Sequence, residues 1–227
     1  MLYVITVAYK EFYRDKTKTL INSVKEYLPE ANIYVLTDNI EYYNDHNVIA
    51  IEGPICNFDP YFKANIKAFA LNSILPLLNN DDLVLYLDAD CYFINPFPKP
   101  LDNYVQHGLT VHISDDEPKT YLPEDIINKT IRDKILTINS NKNQQYYIFR
   151  EGFLLFKVDH TFPIFVQAWL DIFKELETKQ ITQANQTFDI QNAALKAGMS
   201  IFNIDRTSPL RSTTVTVAVN GGINCLV

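Results

Sequence analysis

Five consecutive apolar residues, Leu83 to Leu87, run directly into Asp88-Ala89-Asp90, and this junction restricts the fold more than any other part of the chain. An apolar run that does not alternate suits a strand covered on both faces, as in the interior of a parallel sheet. The two carboxylates then fall at the strand's carboxyl end, where open α/β sheets hold their ligands. Two like charges at a buried strand end are costly unless a cation neutralises them. Oxygen ligands of this kind suit Mg²⁺ or Mn²⁺, which take one or two protein carboxylates together with substrate phosphates. The implied partner is phosphorylated. A strand-end turn with both aspartates capping backbone amides is the competing explanation of the same three residues.

The surrounding pattern supports an α/β domain. Leu2–Ala8 reads as a buried strand, Lys16–Tyr27 as an amphipathic helix and Ile33–Thr37 as a second strand ending on Asp38, which is βαβ order. Pro29 separates that helix from the second strand. Val48–Ile51 is a candidate third strand, Gly53-Pro54 breaks the chain, and Tyr61–Leu78 carries an apolar stripe at helical spacing. After the aspartates, three prolines in Phe93–Pro100 dictate an irregular crossing. Leu109–Ile113, Phe153–Val158, Ser200–Ile204 and Thr213–Val219 read as strands, and Phe162–Leu176 and Ile190–Lys196 as helices. Pro123–Asn143 reads as helix giving way to loop. The expectation is one domain over residues 1–227, with a nucleotide-binding half (1–100) and an acceptor-shaping half (101–227) sharing one sheet.

Charge and cysteine content narrow the partners. With 20 basic against 27 acidic residues and a formal charge of -7, the chain has no basic stripe to follow a phosphate backbone, so long nucleic acid is not an expected partner. The three cysteines are an odd number without metal-ligand spacing, which points to a reducing, cytoplasmic setting. Met1–Ala8 lacks a basic leader, and no stretch reaches bilayer-spanning length, so no membrane span is expected. Oligomeric state is not readable from the sequence.

The segment LVLYLDADCYFINPF at Leu83–Phe97 resembles the core of GT-A glycosyltransferases, above all the glycogenin-like and bacterial galactosyltransferase-like (family 8) branch, whose strand ends in a DxD motif. FREGFLLFKVD at Phe149–Asp159 and FDIQNAAL at Phe188–Leu195 are similar to later landmarks of that branch. The resemblance implies a GT-A, Rossmann-like fold with a mostly parallel central sheet flanked by helices. It also implies transfer of a sugar from a nucleotide-diphospho-sugar, a UDP-sugar in the first instance, to a carbohydrate or other hydroxyl acceptor with retention. Asp88 and Asp90 would hold Mn²⁺ or Mg²⁺, with Ala89 between them.

Other positions carry over residue by residue. Thr6, Ala8 and Tyr9 lie at the end of the first strand, where such enzymes receive base and ribose; Asp38 ends the neighbouring strand. Lys63 and Lys67 are four apart on the helix before the DxD strand, so they share a face, suited to donor phosphates. Gly152 matches a glycine that lets backbone approach the sugar. Arg150 and Glu151 replace the branch's usual Asn and small residue, which makes Glu151 a carboxylate candidate for sugar hydroxyls or the reacting carbon. Asp189 and Gln191 stand where the branch has an Asp-Gln pair, although an Asp at a helix start is also an ordinary cap. The branch's late histidine is missing: His46, His107, His112 and His160 all precede the last quarter, leaving His112, Asp205 or water for a third ligand position. The Gly-rich Asn220-Gly221-Gly222-Ile223 could close over phosphates.

Two other classes share parts of this pattern. A haloacid-dehalogenase-type phosphatase also ends an apolar strand with Asp-X-Asp and would use Asp88 as nucleophile, but there the motif opens the chain and continues to Thr, whereas Cys91-Tyr92 follows here. A nucleotidyltransferase would show glycine after the first strand, and Thr6–Lys10 has none. A non-catalytic sugar-nucleotide-binding module is the remaining alternative.

Overall fold

The structure, a computed structural model, describes residues 1–53, 60–97, 100–105, 108–112, 120–121, 146–147, 149–178 and 186–203. Its elements in order are β1 (Leu2–Ala8), α1 (Lys10–Tyr27), β2 (Asn32–Thr37), β3 (Ile49–Glu52), α2 (Pro60–Ile74), β4 (Leu83–Leu87), β5 (Gly108–His112), β6 (Thr120–Tyr121), β7 (Tyr146–Tyr147), β8 (Arg150–Lys157), α3 (Thr161–Thr178), α4 (Gln186–Lys196) and β9 (Ile201–Asn203).

Seven strands form one sheet in the order β3-β2-β1-β4-β8-β5-β9. The β1–β2, β2–β3, β1–β4 and β5–β9 pairs are parallel, and β8 alone runs antiparallel to both its neighbours. Strands β6 and β7 form a separate two-stranded ladder. From β1 the chain adds strands outward through β2 and β3, then returns to place β4 on the other side of β1. The crevice at the carboxyl ends of β1 and β4 is therefore the topological switch point, where open α/β sheets bind ligands.

Both faces of the sheet are covered, which explains the unbroken apolar runs of β1, β2 and β4. On one face Tyr3, Ile5, Val84, Tyr86, Leu154 and Phe156 pack against Leu71 and Ile74 of α2, Trp169 of α3 and Ile190 of α4. On the other, Leu2, Val4, Leu83, Leu85, Leu87 and Phe153 meet Leu20, Ile21 and Val24 of α1 and the 91–105 crossing through Phe93 and Leu101. The two faces alternate along β4 with the strand period of two. Among the described residues no helix is long and apolar enough to cross a membrane.

Several boundaries differ from expectation for identifiable reasons. Helix α1 starts at Lys10, six residues before its apolar stripe, because its first turns are polar or exposed and bury nothing until Thr17. It is started instead by Asp38, which accepts a bond from the Lys10 N–H at 3.1 Å, Lys10 itself adopting φ 64°. Helix α2 stops at Ile74 and tightens into a 3₁₀ turn, Leu75–Leu77, since Pro76 has no N–H to continue the ladder. Strand β8 begins at Arg150 rather than Phe153, so Glu151 and Gly152 lie inside it. Helix α4 begins at Gln186, four residues early. The segments expected at Pro123–Asn143 and Thr213–Val219 lie outside the described residues, as do Cys56 and Cys225.

Leu85 sits at the middle of β4 with no exposure. Leu85→Ala should cost about 3 kcal/mol with an unchanged urea m-value, whereas Ile164→Ala, on the half-exposed outer side of α3, should stay within roughly 0.5 kcal/mol of the parent; urea denaturation of the two variants measures both.

Candidate active site at the switch point

Strand alternation decides where each residue of the Asp-Ala-Asp segment goes. Val84 and Tyr86 face the α2 side, and Asp88, two residues on, keeps to the same side: its carboxylate meets Lys67 of α2. Lys67 Nζ lies 2.9 Å from Asp88 Oδ1 and 3.2 Å from Oδ2. Ala89 turns the opposite way and is buried in the other core, so its side chain acts as a spacer between the two aspartates. Asp90 lies in the turn beyond the strand and is partly exposed.

Asp88 is held from three directions. Besides Lys67, the Tyr86 hydroxyl donates to Oδ1 at 2.8 Å. Burial first, and then the adjacent Asp88 carboxylate, push the Tyr86 hydroxyl well above the ordinary phenol range, so it stays a proton donor. The third constraint comes from β8. Because β8 runs antiparallel to β4 with Leu87 opposite Phe153, Gly152 falls opposite Asp88, and the Asp88 N–H donates to the Gly152 carbonyl at 3.1 Å. A Cβ at Gly152 would stand 2.9 Å from Asp88 Oδ2, so only glycine leaves the carboxylate its present position.

Lys67, read from the sequence as a candidate for donor phosphates, is instead enclosed beside Asp88. It is only 5% exposed, with its ammonium 5.2 Å from the centre of the Tyr86 ring, an arrangement in which ring and carboxylate both favour the cation. Lys63 lies one turn earlier on α2; its backbone position alone is described.

The end of β1 departs from expectation. Thr6 and Ala8 have no exposure and Tyr9 is 4% exposed; of residues 2–9, Val7 alone is partly open. The Tyr9 hydroxyl packs over Gly53, where a Cβ would lie 1.7 Å from it. The ring therefore belongs to the core and presents no face for stacking a base, and the Thr6 and Ala8 side chains offer no ligand surface in this conformation. Asp38 stays open to solvent, with its carboxylate accepting from Lys10 N–H and from Arg14 Nη1 at 2.5 Å. Burial works against ionisation here, but the Lys10 N–H and the Arg14 guanidinium outweigh it and hold the carboxyl below its usual range. Arg14 carries no motif signal; only the helical placement of residues 10–15 could have found it.

The third group lies on α4. Asp189 is in the first turn but three residues inside the helix start, and it is 3% exposed. A simple surface N-cap therefore does not account for it, although the helix dipole favours a carboxylate in the first turn. Gln191 is buried and its Nε2 donates to Thr187 O at 3.1 Å. Thr187 and Asn192, which sequence reasoning passed over, are buried beside them, giving α4 a concentration of enclosed polar side chains. The helix contacts β8, which carries the Glu151 backbone next to Gly152.

Strand β4 thus presents a hard, oxygen-only donor pair. Asp88 keeps a side-chain exposure of 34%, and a carboxylate has about four lone-pair positions, more than Tyr86 and Lys67 occupy. Mg²⁺ or Mn²⁺, with one or two carboxylates plus phosphate and water, fits that set. Among the described residues no three His, Cys, Asp or Glu side chains gather round a point; Asp205 and Asn220–Ile223 lie outside those residues, and of His112 only the backbone is described. Cys91, buried behind Asp88, is reduced, with its Sγ 3.8 Å from the Gly152 carbonyl oxygen.

This architecture, a mostly parallel sheet with the acidic strand end at its switch point, is the GT-A fold. No protein-family model matches the sequence, and no curated protein matches it. Among solved structures the chain is similar to the galactosyltransferase LgtC, crystallised in complex with donor and acceptor sugar analogues, at 14% identity and a TM-score of 0.50, over 89% of this chain and 73% of that one.

Two outcomes follow from the charges alone. Asp88→Asn leaves the Lys67 ammonium buried without its counter-charge and should cost on the order of 2–3 kcal/mol, below the value for a fully enclosed pair because Asp88 is partly open to water. Adding Lys67→Met should recover most of that loss in chemical denaturation. For Asp38, whose folded value is depressed, the stabilisation is fully present above the ordinary aspartate range near ~4 and disappears as pH falls through the lower folded value. Carboxyl NMR titration should show that low midpoint, and Arg14→Gln should move it back upward.

Proposed function

We propose that the chain is a metal-dependent, retaining glycosyltransferase that moves a sugar from a nucleotide-diphospho-sugar, a UDP-sugar, to a hydroxyl acceptor. The observation that carries this reading is the meeting of Asp88, Lys67 and Gly152 at the β1–β4 switch point, two residues before Asp90. In this reading residues 1–227 act as one unit, with the first hundred residues receiving the nucleotide and the remainder shaping the acceptor side. Likeness in fold to an enzyme whose structure holds donor and acceptor sugar analogues supports the same direction.

Asp88 and Asp90 would hold Mn²⁺ or Mg²⁺, which would neutralise the charge that grows on the leaving diphosphate. Lys67 balances the charge of Asp88, and Lys63, one turn earlier on α2, is the candidate contact for the donor phosphates. Asp38, ordered by Arg14, marks the nucleoside end of the crevice. At the opposite end the Gly152 backbone approaches the sugar closely, and Asp189, Gln191 and Glu151 orient the sugar and the acceptor hydroxyl that attacks the anomeric carbon. Burial of Asp189 and Gln191 on α4 would limit water, which would otherwise compete with the acceptor.

UDP with Mn²⁺ should raise the melting temperature, and Asp90→Asn should abolish the rise. Hydrolysis measured over a panel of nucleotide sugars then identifies the donor, and NMR of the product gives the anomeric outcome. Absence of any shift with nucleoside diphosphates, together with phosphate release from an aryl phosphate, would replace this reading with a phosphatase in which Asp88 is the nucleophile.

A further inference from the structure

Tyr86 stands out among the tyrosines of the core. It is 1% exposed and lies in the middle of the sheet, yet its hydroxyl reaches 2.8 Å to Asp88 Oδ1, while its ring lies beside the Lys67 ammonium. A buried hydroxyl in this position has a chemical reason to be tyrosine. Phenylalanine would fill the same space against the α2 face and lose only the bond to the carboxylate. Position 86 also follows from the strand itself, since a residue two before Asp88 shares its face and lies directly behind it.

We propose that Tyr86 is a positioning residue for the cation site: its hydroxyl fixes one oxygen of Asp88 from behind, so that the remaining lone pairs are presented to a divalent cation at the crevice. This inference rests on the metal-dependent reading above. Lys67 alone would not suffice for this task, because it lies near both Asp88 oxygens and an ammonium on a flexible stem pulls on a carboxylate without fixing its rotation. Tyr86 has a single donor on a rigid ring and approaches one oxygen only. Partners behind a metal-ligating side chain commonly change cation affinity by roughly 10–100-fold when removed.

The test is Mn²⁺ binding to the full chain in the presence of UDP, followed by the EPR signal of free Mn²⁺, in the parent, Tyr86→Phe, Val84→Ala and Asp90→Asn. Val84 is fully buried on the same face of the same strand, so Val84→Ala reports what core loosening does without touching the hydroxyl. Tyr86→Phe should weaken Mn²⁺ binding about tenfold while its melting temperature without ligand falls no further than that of Val84→Ala, whose Mn²⁺ affinity stays at the parental value. Parental affinity in Tyr86→Phe, with binding lost in Asp90→Asn, overturns the role of Tyr86 and leaves the metal site standing. Equal weakening in Val84→Ala also overturns it, since strand packing would then be the cause. A parent chain that binds no Mn²⁺ with UDP overturns the metal-dependent reading and this inference together.

Discussion

A lysine enclosed between a helix and a sheet is costly without a counter-charge beside it, and Lys67 supplies that constraint here. Asp88 meets it, and the requirement spreads outward. Asp88 can reach Lys67 only if β4 ends where it does and in the register that turns position 88 toward α2. That register is shared with β1 on one side and β8 on the other. The ion pair therefore links the central strand, the helix above it and the antiparallel strand beside it, at the place where the sheet order reverses. Breaking it would leave a charge inside the protein, whereas losing a methylene elsewhere in the core costs only packing.

The reversal of β8 is the second device. Had β8 run parallel to β4, its carboxyl end would share the crevice and its amino end would lie across the molecule. Running antiparallel, it delivers its first residues, including Glu151 and Gly152, to the acidic strand end, and it also packs against α4, the helix that encloses Asp189, Gln191 and Asn192.

Much of this was legible from the sequence because it depends on burial. The apolar runs of β1, β2 and β4 are continuous since both faces of the sheet are covered, and β4 was read to the residue. Gly152 and Lys67 were found as candidates, although nothing linear says that a lysine four residues from another will be the enclosed one. The early turns of α1 were missed because they bury nothing. Tyr9 packs into the core and is not open to a base for a reason that is not linear: Gly53, 44 positions later, makes room for its hydroxyl. The apolar period of α4 starts at Ile190, which leaves a cap as a competing explanation of Asp189 beside the functional pairing; the helix itself begins at Gln186, which puts Asp189 inside it.

The same geometry makes the two aspartates inequivalent. Asp88 is attached to the protein on every side that the fold can reach: to Tyr86 behind it, to Lys67 above and to Gly152 across the strand. Its charge is already balanced in the absence of any ligand. Asp90 lies past the end of the strand in a turn and is partly exposed. The two carboxylates thus occupy different settings, one on the sheet and one beyond it. The single small residue between them makes the division possible, because Ala89 must turn into the opposite core for Asp88 to stay with α2 and for Asp90 to leave the sheet.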